Sequence, residues 1–219
     1  MFHRLEIDSV LKILGKRPIL SDVYLSCNTG DVIGLFGRNG SGKSTFLKII
    51  FGSMSAENKH VTIDKKKLDI PFLLKNGIGF LPQNQFIPNY LKVEKCVIFF
   101  IESHQKIDLF FDDIAINKIR QKKISELSFG ELRYLEIKIL LYSENKFILL
   151  DEPFQGLSPI YVENIKDLIL NSKKNKGIII TDHNYNQVLE LTNKLYLIKD
   201  GTIFLLKNND DLREYGYLS

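Results

Sequence analysis

Residues 37 to 45 read Gly37-Arg38-Asn39-Gly40-Ser41-Gly42-Lys43-Ser44-Thr45, a complete phosphate-binding loop. Its three glycines let the backbone turn tightly enough to aim several N–H groups at one anion. Lys43 adds a mobile positive charge for the β- and γ-phosphates, and the Ser44 hydroxyl suits Mg²⁺. The flanking sequence completes the pattern. Val32 to Phe36 is an apolar run that reads as a buried strand. Phe46, Leu47, Ile49 and Ile50 follow at helical spacing, which places the phosphates on a helix N-terminus. The chain is therefore expected to bind a nucleoside triphosphate on an α/β core.

The remaining elements support that core. Ile78–Leu81, Phe147–Leu150 and Ile178–Ile180 are short apolar strands, and Leu195–Ile198 with Ile203–Leu206 form a hairpin around Asp200-Gly201. Val93 to about Lys123 reads as mainly helical, with its apolar residues at mixed spacing, and helical spacing runs from Glu131 onward and from Ile160 to Leu170. Strands alternating with helices predict a mainly parallel sheet. Residues 2 to 36 are strand-rich, with alternation in Leu5–Asp8 and a second strand over Leu20–Ser26. The expected architecture is a P-loop NTPase core with an N-terminal antiparallel β subdomain and an inserted α-helical subdomain at about 90–145. Residues 1–219 form one domain in this reading, since no repeat or Pro/Gly linker divides them.

Composition limits the partners. A net charge of +4 over 219 residues is too weak to argue for nucleic acid, and none is expected. Lys65-Lys66-Lys67 and Lys173-Lys174 read as solvated turns. Cys27 and Cys96 lack metal-ligand spacing and read as reduced thiols. No signal peptide is visible, and the longest apolar run, Cys96 to Ile101, falls far short of the roughly 20 residues of a membrane span. If the protein serves transport, another chain supplies the pore.

The Phe147–Leu150 strand ends in Asp151-Glu152-Pro153, which puts carboxylates at the carboxyl end of a parallel strand, where such sheets bind ligands. One carboxylate there can hold Mg²⁺, and the next can orient or deprotonate the water that attacks the γ-phosphate. Leu127-Ser128-Phe129-Gly130-Glu131 reads locally as a capping box, Ser128 with Glu131, opening a helix whose N-terminus can also receive a phosphate. Thr181-Asp182-His183-Asn184 follows the Ile178–Ile180 strand, beside the expected position of Asp151.

With these motifs in this order, the whole chain resembles the nucleotide-binding subunit of an ATP-binding cassette transporter. The resemblance implies that Gly37–Thr45 is the Walker A loop, that Phe147–Asp151 is Walker B, and that Glu152 is the catalytic carboxylate. It implies that Gln83, in Leu81-Pro82-Gln83, reaches Mg²⁺ and the attacking water. Ser44, Gln83 and Asp151 then form the metal side of the site. Ser128, Gly130 and Glu131 match the family signature, acting in trans, His183 the switch histidine, and Gly156-Leu157-Ser158-Pro159 the D-loop. Asp151-Glu152-Pro153-Phe154 and Thr181–Asn184 are similar to the lipopolysaccharide-export and branched-chain amino-acid subgroup. The implied machine is a head-to-tail homodimer, or a dimer with a paralogous cassette, around two ATP. It would hydrolyse ATP with Mg²⁺ and drive an integral membrane permease from the cytoplasmic face of the cell membrane.

Three positions depart from that pattern. Leu14 stands where an aromatic residue usually stacks on adenine, Phe129 replaces the first signature glycine, and Ser158 replaces the D-loop aspartate. Two other functions remain open at this point. One is a soluble cassette ATPase such as a cluster-assembly scaffold; the other is a nucleotide-gated module with negligible hydrolysis, suggested by Phe129 and Ser158.

Overall fold

Val32–Phe36, Phe147–Asp151 and Gly177–Thr181 are buried at every residue, as strands of a parallel sheet must be when both faces are covered. The computed structural model describes residues 2–208 and 210–214. In chain order β1 (Arg4–Leu14) and β2 (Arg17–Asn28) form a hairpin, and β3 (Val32–Phe36) leads into α1 (Lys43–Phe51). β4 (Asn58–Ile63) and β5 (Lys66–Lys67) follow, then β6 (Ile78–Leu81). Between β6 and the next strand lie α2 (Val93–Phe100), α3 (His104–Phe111), α4 (Ile114–Ile119) and α5 (Phe129–Tyr142). The chain continues through β7 (Phe147–Asp151), α6 (Pro159–Ser172), β8 (Gly177–Thr181), α7 (Tyr185–Leu189), β9 (Lys194–Lys199), β10 (Thr202–Leu206) and α8 (Asp211–Glu214).

These strands make two sheets. The larger has the order β10-β9-β3-β8-β7-β6 and is parallel except for β10, which pairs antiparallel with β9. The smaller, β2-β1-β4-β5, is antiparallel throughout. Side-chain alternation along a strand divides the core. Ile33, Leu35, Phe147, Leu149 and Ile179 pack with α1 and the antiparallel sheet. Val32, Phe36, Ile148, Leu150, Ile178 and Ile180 pack with the helices of the opposite face, α5 and α6 among them. The sheet is thus apolar on both sides, and its functional groups are left to the strand ends.

The expected architecture is present, with local differences that have physical causes. β1 runs past Asp8 to Leu14, but Ser9 has φ 54° and the register shifts between Ile7 and Val10, so the alternation breaks there. β4 carries no periodic signal because only its last three residues are buried. The mainly helical stretch 93–123 consists of three short helices. Ser103 caps the second by accepting from Lys106 N–H at 3.4 Å, and Asp113 caps the third by accepting from Ala115 N–H at 2.9 Å and Ile116 N–H at 3.2 Å. The third cap also anchors the insert to α5. Lys138, almost fully buried, donates to Phe110 O at 2.9 Å and to Asp113 Oδ2 at 2.7 Å, and Tyr134 OH donates to the same carboxylate oxygen.

Candidate nucleotide-binding site

In the parallel sheet β3, β8, β7 and β6 are neighbours in that order. Their carboxyl ends therefore bring together the phosphate loop, Thr181 to His183, Asp151 with Glu152, and Gln83. Ligands in open parallel sheets sit at this edge.

Two of the loop glycines, Gly37 and Gly42, are required by close approach. A Cβ on Gly37 would lie 2.5 Å from Ser41 Oγ and 2.8 Å from Ile198 O. Gly42, at φ 103°, opens α1, and a Cβ there would lie 2.9 Å from Ile19 Cγ2. No side chain caps α1, so its first N–H groups remain available to an anion. Lys43 Nζ donates to Gly37 O at 2.6 Å and to Arg38 O at 3.3 Å. Burial pushes its pKa down, while Glu152, Asp151 and Asp182 favour its charge.

The groups expected to hold metal and water meet the loop directly. Asp151 Oδ1 accepts from Ser44 Oγ at 3.0 Å and from Thr181 Oγ1 at 2.7 Å. Asp151 Oδ2 is buried with no hydrogen-bond partner. Gln83 Nε2 donates to Ser44 Oγ at 3.1 Å and to Glu152 Oε1 at 2.9 Å. The same Glu152 oxygen stands 3.0 Å from His183 Nε2. The Glu152 backbone is left-handed, at φ 52°, and its N–H donates to Thr181 O at 2.8 Å. Lys43, Ser44, Gln83, Asp151, Glu152 and His183 thus form one contiguous set. Arg38, Asn39, Gly40 and Ser41 border an open cleft of about 820 Å³, lined also by Arg17, Pro18, Ile19, Asp200 and Gly201.

The signature residues lie apart from this set. Ser128 caps α5: its Oγ accepts from Glu131 N–H at 3.3 Å, and Glu131 Oε2 accepts from Ser128 N–H at 2.8 Å. Glu131 also stands 3.5 Å from Lys122 Nζ. Gly130 permits close packing of α5 on α6, since a Cβ there would lie 2.7 Å from the Tyr161 ring. Phe129 is 58% exposed, and Leu14 is exposed at the end of β1.

Sequence reasoning passed over three residues. Thr181 binds Asp151, and Arg133 and Glu136 bind backbone around Gln83, Asp151 and Glu152. For the last two a signal existed: charges three residues apart within the apolar run Leu132 to Leu141.

A glycine-rich loop closed onto an uncapped helix, with an acidic strand end and a glutamine beside it, defines an ATP-binding cassette. The family model described as ABC transporter matches residues 20–155, and the chain belongs to that family. It is 32% identical over 212 residues to the lipopolysaccharide export system ATP-binding protein LptB of Haemophilus influenzae, covering 91% of this chain and 88% of that protein. The fold matches a solved ATP-binding subunit of an ABC transporter with TM-score 0.86 at 21% identity, covering 97% of this chain and 93% of the other. It also matches the ADP conformation of the ATP-binding cassette MJ1267, with TM-score 0.79 at 24% identity over 97% and 94% of the two chains. Among the described residues no helix is long and apolar enough to cross a membrane.

Proposed function

We propose that this chain hydrolyses ATP as one half of a head-to-tail dimer of cassettes, with itself or a paralogue, and thereby drives a separate integral membrane permease. In this reading residues 1–219 are one nucleotide-binding domain with its helical subdomain at about 90–145, working peripherally on the cytoplasmic face of the membrane. The observation that carries it is Glu152, whose Oε1 is shared by Gln83 and His183 while its neighbour Asp151 holds Ser44. A binding-only loop has no need of that arrangement.

Mg²⁺ fits the residues present. The Ser44 hydroxyl, the Gln83 amide oxygen and the Asp151 carboxylate are hard oxygen donors, and Asp151 Oδ2 is a buried acceptor without a partner. When bound, the ion would neutralise charge on the phosphate oxygens. Lys43 exchanges its loop carbonyls for phosphate oxygens. Gln83 orients the water, Glu152 accepts its proton as the oxygen attacks the γ-phosphorus, and His183 holds the Glu152 carboxylate in place. ATP and water become ADP and phosphate. Ser128 and Gly130 would meet the γ-phosphate held by the partner protomer, so hydrolysis removes the group that bridges the halves. Phe72, Leu73, Tyr90 and Phe99 are exposed on the segments before and after the Gln83 loop, and they suit an apolar element of the permease.

The test is purification from membranes with whatever integral protein is bound, followed by phosphate release. Mg²⁺-dependent release in such a complex supports the reading. Recovery with water-soluble proteins alone refutes the permease, and binding without release refutes the hydrolase.

Base recognition is expected to be weak. Leu14 supplies no ring, and a stacked aromatic contributes roughly 1–3 kcal/mol per base. The equilibrium dissociation constants for MgATP and MgGTP should differ by no more than about tenfold, or about 1.4 kcal/mol. A ratio above about a hundredfold, near 3 kcal/mol, would contradict this.

A further inference from the structure

Besides Lys138, two charges on α5 are buried without touching the nucleotide groups themselves: Arg133 is 4% exposed and Glu136 1%. A guanidinium in such a place must satisfy its donors internally. Arg133 does so on backbone. Its Nη1 donates to Pro82 O at 2.7 Å, and its Nη2 donates to Asp151 O at 2.8 Å and Glu152 O at 3.1 Å. Glu136 Oε1 accepts from Phe86 N–H at 2.9 Å and Ile87 N–H at 3.4 Å, and Glu136 Oε2 stands 3.7 Å from Arg133 Nη1. The pair therefore grips both ends of the loop that carries Gln83. The same guanidinium grips the carbonyls of Asp151 and Glu152, and Glu152, at φ 52°, holds a left-handed conformation that is strained for a residue with a Cβ. Burial opposes the charge of Arg133, and Glu136, Asp151, Asp182 and Glu152 favour it.

We infer that Arg133 is a positioning residue, which fixes Gln83 and Glu152 relative to each other by holding their backbones from the helix that Ser128 caps. This rests on the proposed hydrolytic function. Arg133 lies five residues beyond Ser128 on α5. A shift of that helix when Ser128 engages a phosphate displaces the peptides that carry this protomer's own Gln83 and Glu152. One composite site would thereby act on the other within a single chain. A lysine cannot substitute, because one ammonium on a flexible stem does not span three carbonyls in two strands' loops.

The test uses the complex with its membrane partner and the variants Arg133→Lys, Arg133→Gln, Gln83→Ala and Arg133→Lys/Gln83→Ala. ATP affinity is measured by equilibrium binding and kcat by phosphate release. A shift of the order of 1 Å in a positioned group lowers rate about 10–100-fold, so Arg133→Lys should lower kcat on that scale while ATP affinity is unchanged. Arg133→Lys should cost less in the Gln83→Ala background than in the wild type, because the part of its effect that passes through Gln83 is already lost. Wild-type kcat in Arg133→Lys, fully multiplicative losses in the double variant, or a loss that follows the folded fraction would each overturn the inference. If Arg133→Gln does not fold, Glu136→Gln replaces it: lower kcat at unchanged affinity supports the inference, and unchanged kcat opposes it. An inactive wild-type complex would refute the proposed function itself; an active one with an indifferent Arg133→Lys refutes only the positioning role.

Discussion

Lys43→Ala is expected to weaken MgATP binding at least a hundredfold while leaving the fold intact. The Lys43 ammonium is almost fully buried and donates to the carbonyls of Gly37 and Arg38. Those are neutral acceptors, and burial already works against the charge. A phosphate replaces them with anionic oxygens in the same desolvated place, where a charge-assisted hydrogen bond contributes about 1.5–3 kcal/mol. Two such bonds account for the hundredfold loss, at about 1.4 kcal/mol per tenfold. Thermal unfolding with and without nucleotide separates this from misfolding. At a ligand concentration of about a hundred times Kd, binding adds about 2.7 kcal/mol, a shift of several degrees in Tm for a domain of this size. The variant should unfold near the wild-type temperature without ATP and lose that shift. Equal shifts in both proteins would remove the phosphate loop from the binding site.

The phosphate loop was legible because its chemistry is contiguous: nine successive residues supply the turn, the cation and the hydroxyl. β7 and β8 were legible for a similar reason, since burial on both faces leaves an unbroken apolar run. β1 beyond Ser9 was not, because a left-handed residue slips the register and erases the alternation. β4 was not, because its first half lies open to solvent. The strand order was hidden in part. The sequence placed β8 beside β7, where Thr181 becomes a partner of Asp151, but no local pattern says that β3 borders β8 on its other side. Arg133 shows the limit most clearly. In sequence it is one more charge on a helix, and its role depends on carbonyls of Pro82, Asp151 and Glu152 that only the folded sheet brings together.

Glu152→Gln should bind ATP normally and turn it over about 10²–10⁴ times more slowly, the usual contribution of a positioned base. The substitution is nearly isosteric, and its amide oxygen can still accept from Gln83 Nε2 and lie against His183 Nε2, which now stand 2.9 and 3.0 Å from the carboxylate. The backbone bonds that hold this position, from Glu152 N–H to Thr181 O and from Arg133 to Glu152 O, do not involve the side chain. Geometry and nucleotide affinity should therefore survive, while the group proposed to take the proton from water is lost. In the proposed cycle hydrolysis removes the γ-phosphate that bridges two protomers, so the slow variant should also accumulate as an ATP-bound dimer, seen as a larger species by size exclusion with MgATP but not with MgADP. His183→Ala should slow turnover less, since it leaves the carboxylate present and only loosens its hold. Turnover of Glu152→Gln within a few-fold of wild type would assign the base elsewhere.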